Sequence, residues 1–97
     1  MVREIYDISI KEKKLEESYK DFNKEYSKNL RISMTSIKNE NFQIYDINDV
    51  AVILNETQDK KANRYFGNIT LVGDKHSIDK TISEIEKKGF ALEKITN

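Results

Sequence analysis

The sequence predicts an α+β domain of order βαβββ–βαβ, with two helices packed on one face of a mostly antiparallel sheet and two pseudo-repeated halves. Three observations predict it. Several short stretches alternate apolar and polar residues, the period of a half-buried strand. Two longer stretches place apolar residues along a helical stripe. A strand–helix unit also occurs twice. Ile5-Tyr6-Asp7-Ile8-Ser9-Ile10 precedes the stripe Leu15, Tyr19, Phe22, and Phe66-Gly67-Asn68-Ile69-Thr70-Leu71 precedes the stripe Ile78, Ile82, Ile85.

The elements follow in order. Over residues 3–10, Tyr6, Ile8 and Ile10 share one face and Ile5, Asp7 and Ser9 the other. Residues 13–28 read as a helix with the stripe Leu15, Tyr19, Phe22 and Tyr26, stopped by Asn29, which tolerates the left-handed conformation of helix ends. Residues 31–37 alternate, with Ile32 and Met34 on one face and Arg31, Ser33 and Thr35 on the other. Lys38 to Asn41 is a polar turn, Phe42 opens the next strand, and Asn48-Asp49 punctuates a hairpin. Val50 to Leu54 is the most apolar run; it belongs at the centre of the sheet, with cover on both faces. Glu56 to Asn63 reads as a polar linker, and Arg64 to Val72 as a strand. Ser77 is expected to cap a helix that runs to Lys88 and ends at Gly89. Phe90, Leu92 and Ile95 suggest a last strand. The expected organisation is one domain, 1–97, with a first half 1–55, a linker 56–64 and a second half 65–97.

Composition narrows the chemistry. Seventeen Lys and Arg balance seventeen Asp and Glu, and net neutrality argues against binding a nucleic-acid backbone, which needs clustered positive charge. Lys11, Lys13 and Lys14 cluster, but Glu12, Glu16 and Glu17 interleave with them and cancel the field. The chain has no cysteine, so disulfides, thiol nucleophiles and thiolate metal sites are out. No apolar run reaches the ~18 residues of a membrane span. The expected setting is cytoplasmic, with no nucleic-acid or membrane partner.

Few residues are suited to catalysis. His76, the single histidine, sits in a turn without a nucleophile beside it. Asp46, Asn48, Asp49 and Glu56 lack the glycine and spacing of a calcium loop and read as turn chemistry. Gly67 and Gly73 are isolated, so no phosphate-cradling motif is present. Tyr6, Tyr19 and Tyr26 fall on apolar faces and are expected in the core, whereas Tyr45 and Tyr65 border strands and are candidates for a ligand. The small polar pairs Asp7/Ser9 and Asn68/Thr70 lie on the strand faces away from the helices. They suggest either a shallow cup for a polar ligand or a solvated sheet face.

Asp7-Ile8-Ser9-Ile10 followed by Leu15-Glu16-Glu17-Ser18, with Asn68-Ile69-Thr70-Leu71 running through Ile78 to Lys88-Gly89-Phe90, resembles the opening strands and helices of the two modules of the glyoxalase/bleomycin-resistance (vicinal oxygen chelate) superfamily. The resemblance implies that Asp7 and Asn68 match strand positions that supply metal ligands in that family's enzymes, and that Glu56 loosely matches a further ligand. Asn is a weak neutral ligand, and the closing carboxylate has no counterpart, so no metal, cofactor or catalytic residue is expected.

The leading functional expectation is a non-catalytic small-molecule-binding or protein-interaction module, with Asp7, Ser9, Asn68, Thr70, Tyr45 and Tyr65 as ligand-binding candidates. A homodimer closing the sheet into a shared cup is the expected assembly. One alternative is a metal-assisted lyase or isomerase using Asp7 and Glu56. Another is a ferredoxin-like or ACT-like regulatory module. Strand order separates these folds: two like modules side by side in the glyoxalase case, interleaved halves in the ferredoxin-like case.

Overall fold

The computed structural model describes residues 1–10, 15–35, 40–59 and 64–95, with backbone alone described for Ser9, Ile10, Leu15, Glu16, Gln58, Asp59, Arg64, Tyr65 and Phe66. The elements are β1 (Val2–Ile10), α1 (Leu15–Glu25), β2 (Leu30–Thr35), β3 (Glu40–Ile47), β4 (Val50–Asp59), β5 (Arg64–Gly73), α2 (Lys75–Lys87) and β6 (Phe90–Lys94). This is the α+β order expected. The lysine cluster at 11–14 and the turn residues 38 and 39 lie outside the described residues.

One antiparallel sheet has the order β2-β3-β4-β5-β1-β6. β1 lies between β5 and β6 and pairs with both, so it sits inside the second half. β5 in turn lies between β4 and β1. Each crossover therefore spans one strand of the other half, as in the split βαβ units of ferredoxin-like domains. Of the two orders left open above, the sheet has the interleaved one. The β2–β3 hairpin is then an insertion between α1 and β4 that widens the sheet beyond β4.

Alternation decides which residues meet the helices. Glu4, Tyr6 and Ile8 of β1, Tyr45 and Ile47 of β3, Val50, Val52 and Leu54 of β4, and Ile69 and Leu71 of β5 are all buried on one face. α1 packs on β1 and β5, and α2 on β4, β5 and β6. Tyr19, Phe22 and Tyr26 of the first stripe are buried, with Phe22 edge-on to Tyr45 (5.3 Å) and Phe90 (5.6 Å). The second stripe is rotated from the expected one: Ile78, Thr81 and Ile85 are the buried residues, and Ile82 is only partly covered. Thr81 is accommodated because its hydroxyl donates back to the Ser77 carbonyl at 2.8 Å.

Three local features differ from expectation. α1 ends at Glu25 and a single 3₁₀ turn, Ser27–Asn29, completes the run. The cap of α2 is Asp74, not Ser77; its carboxylate accepts from the Ser77 amide at 3.0 Å and the Ser77 hydroxyl at 2.7 Å. Residues 56–59 are not linker but strand, paired with residues 64–67. Residues 60–63 lie outside the described residues. The hairpin at Asn48 and Asp49 is as expected: both have positive φ (53° and 62°), the geometry of a tight two-residue turn. Asn48 also donates to Glu84 of α2 at 2.7 Å, tying the turn to the helix layer.

Candidate interaction face

Two buried carboxylates stand on the helix-covered face. Glu4 is 3% exposed, yet it accepts from the Tyr6 hydroxyl at 2.5 Å, from Lys75 at 3.1 Å and from Lys94 at 3.3 Å. The Tyr6 hydrogen bond first, and then the two lysines, outweigh desolvation and hold its carboxyl at about 2 instead of the usual 4.5. Such a group is a fixed negative charge at neutral pH, so it has no proton to exchange there. Glu56 is buried beside α1 and accepts from Asn23 at 3.4 Å. Burial pushes the Tyr19 and Tyr45 hydroxyls up, and the nearby Glu56 charge adds to both shifts. His76 is exposed in the first turn of α2. Among the described residues no group of three His, Cys, Asp or Glu is placed to hold a metal ion.

The opposite face has no helix. Its residues are fixed by register. Ile32 pairs with Ile44, Ile44 with Ile53, Ile53 with Thr70, and Thr70 with Ile5. The Ile95 amide donates to the Ile5 carbonyl at 2.9 Å, which continues the same row onto the end of β6. One level across the sheet thus carries an isoleucine on β1, β2, β3 and β4 and another, Ile95, just past the end of β6, while on β5 Thr70 takes the place. On one side of this belt lies the row Met34, Phe42, Asn55, Asn68. On the other lies Asp46, Ala51, Val72, Arg3. Ile32 is 47% exposed and Met34 55%.

The expected ligand residues are divided by this arrangement. Asp7, Asn68 and Thr70 do lie on the open face. Thr70 stands apart within the belt; Asn68 lies beside Asn55, and Asp7, one step past the Tyr6–Ile69 pair, continues that row to Glu93. Tyr45 is on the other side of the sheet, 1% exposed and donating to Gln43 at 3.1 Å, so it faces no ligand there. The side chains of Ser9 and Tyr65 lie outside the described residues. Asp7 and Glu56, the pair proposed for a lyase, point to opposite faces of the sheet. The sequence reading missed the belt, although its members alternate correctly within each strand. A belt exists only once strands are paired in register, and pairing is not visible in alternation.

Val50–Leu54 needed cover on both sides. Val50, Val52 and Leu54 are fully buried under the helices, while Ala51 and Ile53 remain partly exposed on the open face. No helix among the described residues is long and apolar enough to cross a membrane. Comparison with protein families, with curated proteins and with solved structures finds no match.

Proposed function

We propose that this chain is a non-catalytic interaction module whose working surface is the open face of its sheet. The isoleucine belt carries this reading. A solvated antiparallel face usually presents polar residues; here isoleucines of β1 to β4 and Ile95 line one level across the sheet, interrupted only by Thr70, and the rows beside it mix Met34, Phe42, Ala51 and Val72 with polar residues at their ends or centre. An exposed apolar patch with a polar rim is the composition of a binding surface. The interleaved strand order favours the ferredoxin-like regulatory form of the reading. The saturation of Glu4 by three donors supports a structural role for the most perturbed carboxylate rather than acid–base work. A cytoplasmic setting fits a small domain that uses no disulfide.

The test is site-specific photo-crosslinking in living cells. A benzophenone amino acid is placed at Ile32 on the open face and, separately, at exposed Lys24 on α1. Discrete adducts from position 32, and few from position 24, are expected. Equal yields from both positions, or adducts from position 24 alone, would refute the open face as the working surface.

A further inference from the structure

We infer that the occupant of the open face is a second copy of this chain, stacked sheet on sheet about a two-fold axis that runs parallel to the strands between β4 and β5. The inference rests on the open face being the binding surface and names what binds there.

The sheet has three strands on either side of that line. A two-fold axis along it exchanges β4 with β5, β3 with β1 and β2 with β6, and keeps each lateral row at its own level. The belt then meets itself: Ile53 faces Thr70 of the second copy, Ile44 faces Ile5, and Ile32 faces Ile95. In the neighbouring rows Asn55 faces Asn68, amide to amide, and Ala51 faces Val72. Each contact occurs twice, as an isologous interface requires.

Charge complementarity selects this axis. Asp46 and Arg3 end the same row and both side chains are exposed. Within one chain they are three strand spacings apart, roughly 14 Å. Neither has an ion-pair partner among the described residues. The two-fold axis sets Asp46 of one copy opposite Arg3 of the other, twice. The same axis also sets Phe42 opposite Asp7, on the strand pair that carries Asp46 and Arg3, and Met34 opposite Glu93 on the outermost strands. Aligned sheets cross at about 30°, which moves Met34 and Glu93, the outermost of these groups, past one another while the central strands stay in contact.

The area is adequate. Five inter-strand gaps make the face roughly 24 Å wide. The eight residues of β3 make it roughly 27 Å long. The flat footprint of roughly 650 Å² approaches the ~800 Å² per partner of a standard interface.

Sedimentation equilibrium on the purified chain tests this. The wild type is expected to be a dimer at tens of micromolar. Thr70→Lys, and Ile32→Lys at a more exposed position, should each give a monomer; the second variant guards against loss of fold in the first, with circular dichroism confirming that each is folded. Arg3→Glu and Asp46→Lys should each weaken the dimer about tenfold, since each removes two ion pairs and adds repulsion. The combined variant should return to within about twofold of wild type. Because the two groups are too far apart to pair within one chain, that rescue can arise only between copies. A monomeric wild type at 100 μM (roughly the upper range of a useful affinity), or a combined variant as weak as the single ones, would overturn the inference. A monomer in solution whose position 32 still crosslinks to another protein in cells would overturn this inference and leave the interaction-module reading standing.

Discussion

Gly67 is the position where one added carbon should cost most. It pairs with Glu56 across the β4–β5 ladder and lies directly beneath the ring of Tyr19. A Cβ built there would stand 2.5 Å from the Asn55 carbonyl oxygen and 2.6 Å from both Cε2 and Cζ of Tyr19. Ordinary contact is near 3.5–4 Å, so about an ångström must be found. The Tyr19 ring is fully buried, in an interior that is close-packed as a rule, and the carbonyl can retreat only by bending the ladder. Overpacking of this kind typically costs about 1–3 kcal/mol, and contact with ring and backbone together puts Gly67→Ala at the upper end. The lower entropy of the unfolded alanine chain returns roughly 0.5–1 kcal/mol. A net loss of about 2 kcal/mol lowers the melting temperature of a domain this size by roughly 8–16 °C. The assay is urea denaturation with a parallel thermal scan. Gly73→Ala is the control: its Cβ would be tight only against the Val50 methyl at 3.3 Å, with the Asp49 carbonyl oxygen and Val50 Cα at an ordinary 3.6 Å, and a loss under about 1 kcal/mol is expected. In a Tyr19→Leu background the Gly67→Ala penalty should shrink, because the ring's share disappears. A Gly67→Ala variant within 0.5 kcal/mol of wild type, roughly the spread of ordinary surface changes, would refute the packing argument.

Other measurements probe the core and its charges. Ile85→Ala should cost about 2–5 kcal/mol and Ile82→Ala clearly less, because Ile85 is fully buried and Ile82 only partly covered; equal costs would show that the helix faces the sheet differently. Glu4 ionises near 2 in the fold against 4.5 in the open chain. Its contribution is therefore complete above about pH 4.5 and lost as pH falls toward 2, and Glu4→Gln should flatten the acid limb of urea midpoints against pH. At the other end, burial raises Tyr6 and Tyr26 to about 12 from 10, and Tyr19 and Tyr45 rise as well. Stability should be complete below pH 10 and fall as pH rises toward 12; tyrosinate absorbance in which these groups titrate at 10 in the native protein would contradict the burial.

Much of the fold was legible because alternation and helical stripes are local signals. The hairpin at Asn48-Asp49 could be read from residues that accept positive φ. What stayed hidden depends on partners distant in sequence. The position of β1 between β5 and β6 is a matter of pairing, and both orders use the same alternating strands. Nothing local marks Glu4 as buried, because donors that surround it, such as Lys75 and Lys94, come from other elements, and Glu56 read as turn and linker chemistry. Residues 56–59 looked like a linker because they are polar, yet backbone pairing with β5 carries the strand beyond its last apolar residue. Asp74 and Ser77 are both good caps, and composition cannot choose between them. The candidate site was half legible: the open face was identified from Asp7, Asn68 and Thr70, while its apolar character emerged only from register.

The place of β1 also orders events in time. β2, β3 and β4 each pair with the next strand along the chain, so each hairpin can form as soon as its second strand leaves the ribosome. β1 is made before all of them and has no partner among β2, β3 and β4; Val2 waits for Gly73, and Ile10 for Phe90. During that interval Tyr6 and Ile8 have no sheet to enter, and an unpaired apolar strand is the kind of segment that chaperones hold and that aggregates form around. The same interleaving makes truncation unforgiving. A chain cut after β4 keeps β1 but removes both strands that hold it, so the N-terminal half has no route to a folded state of its own.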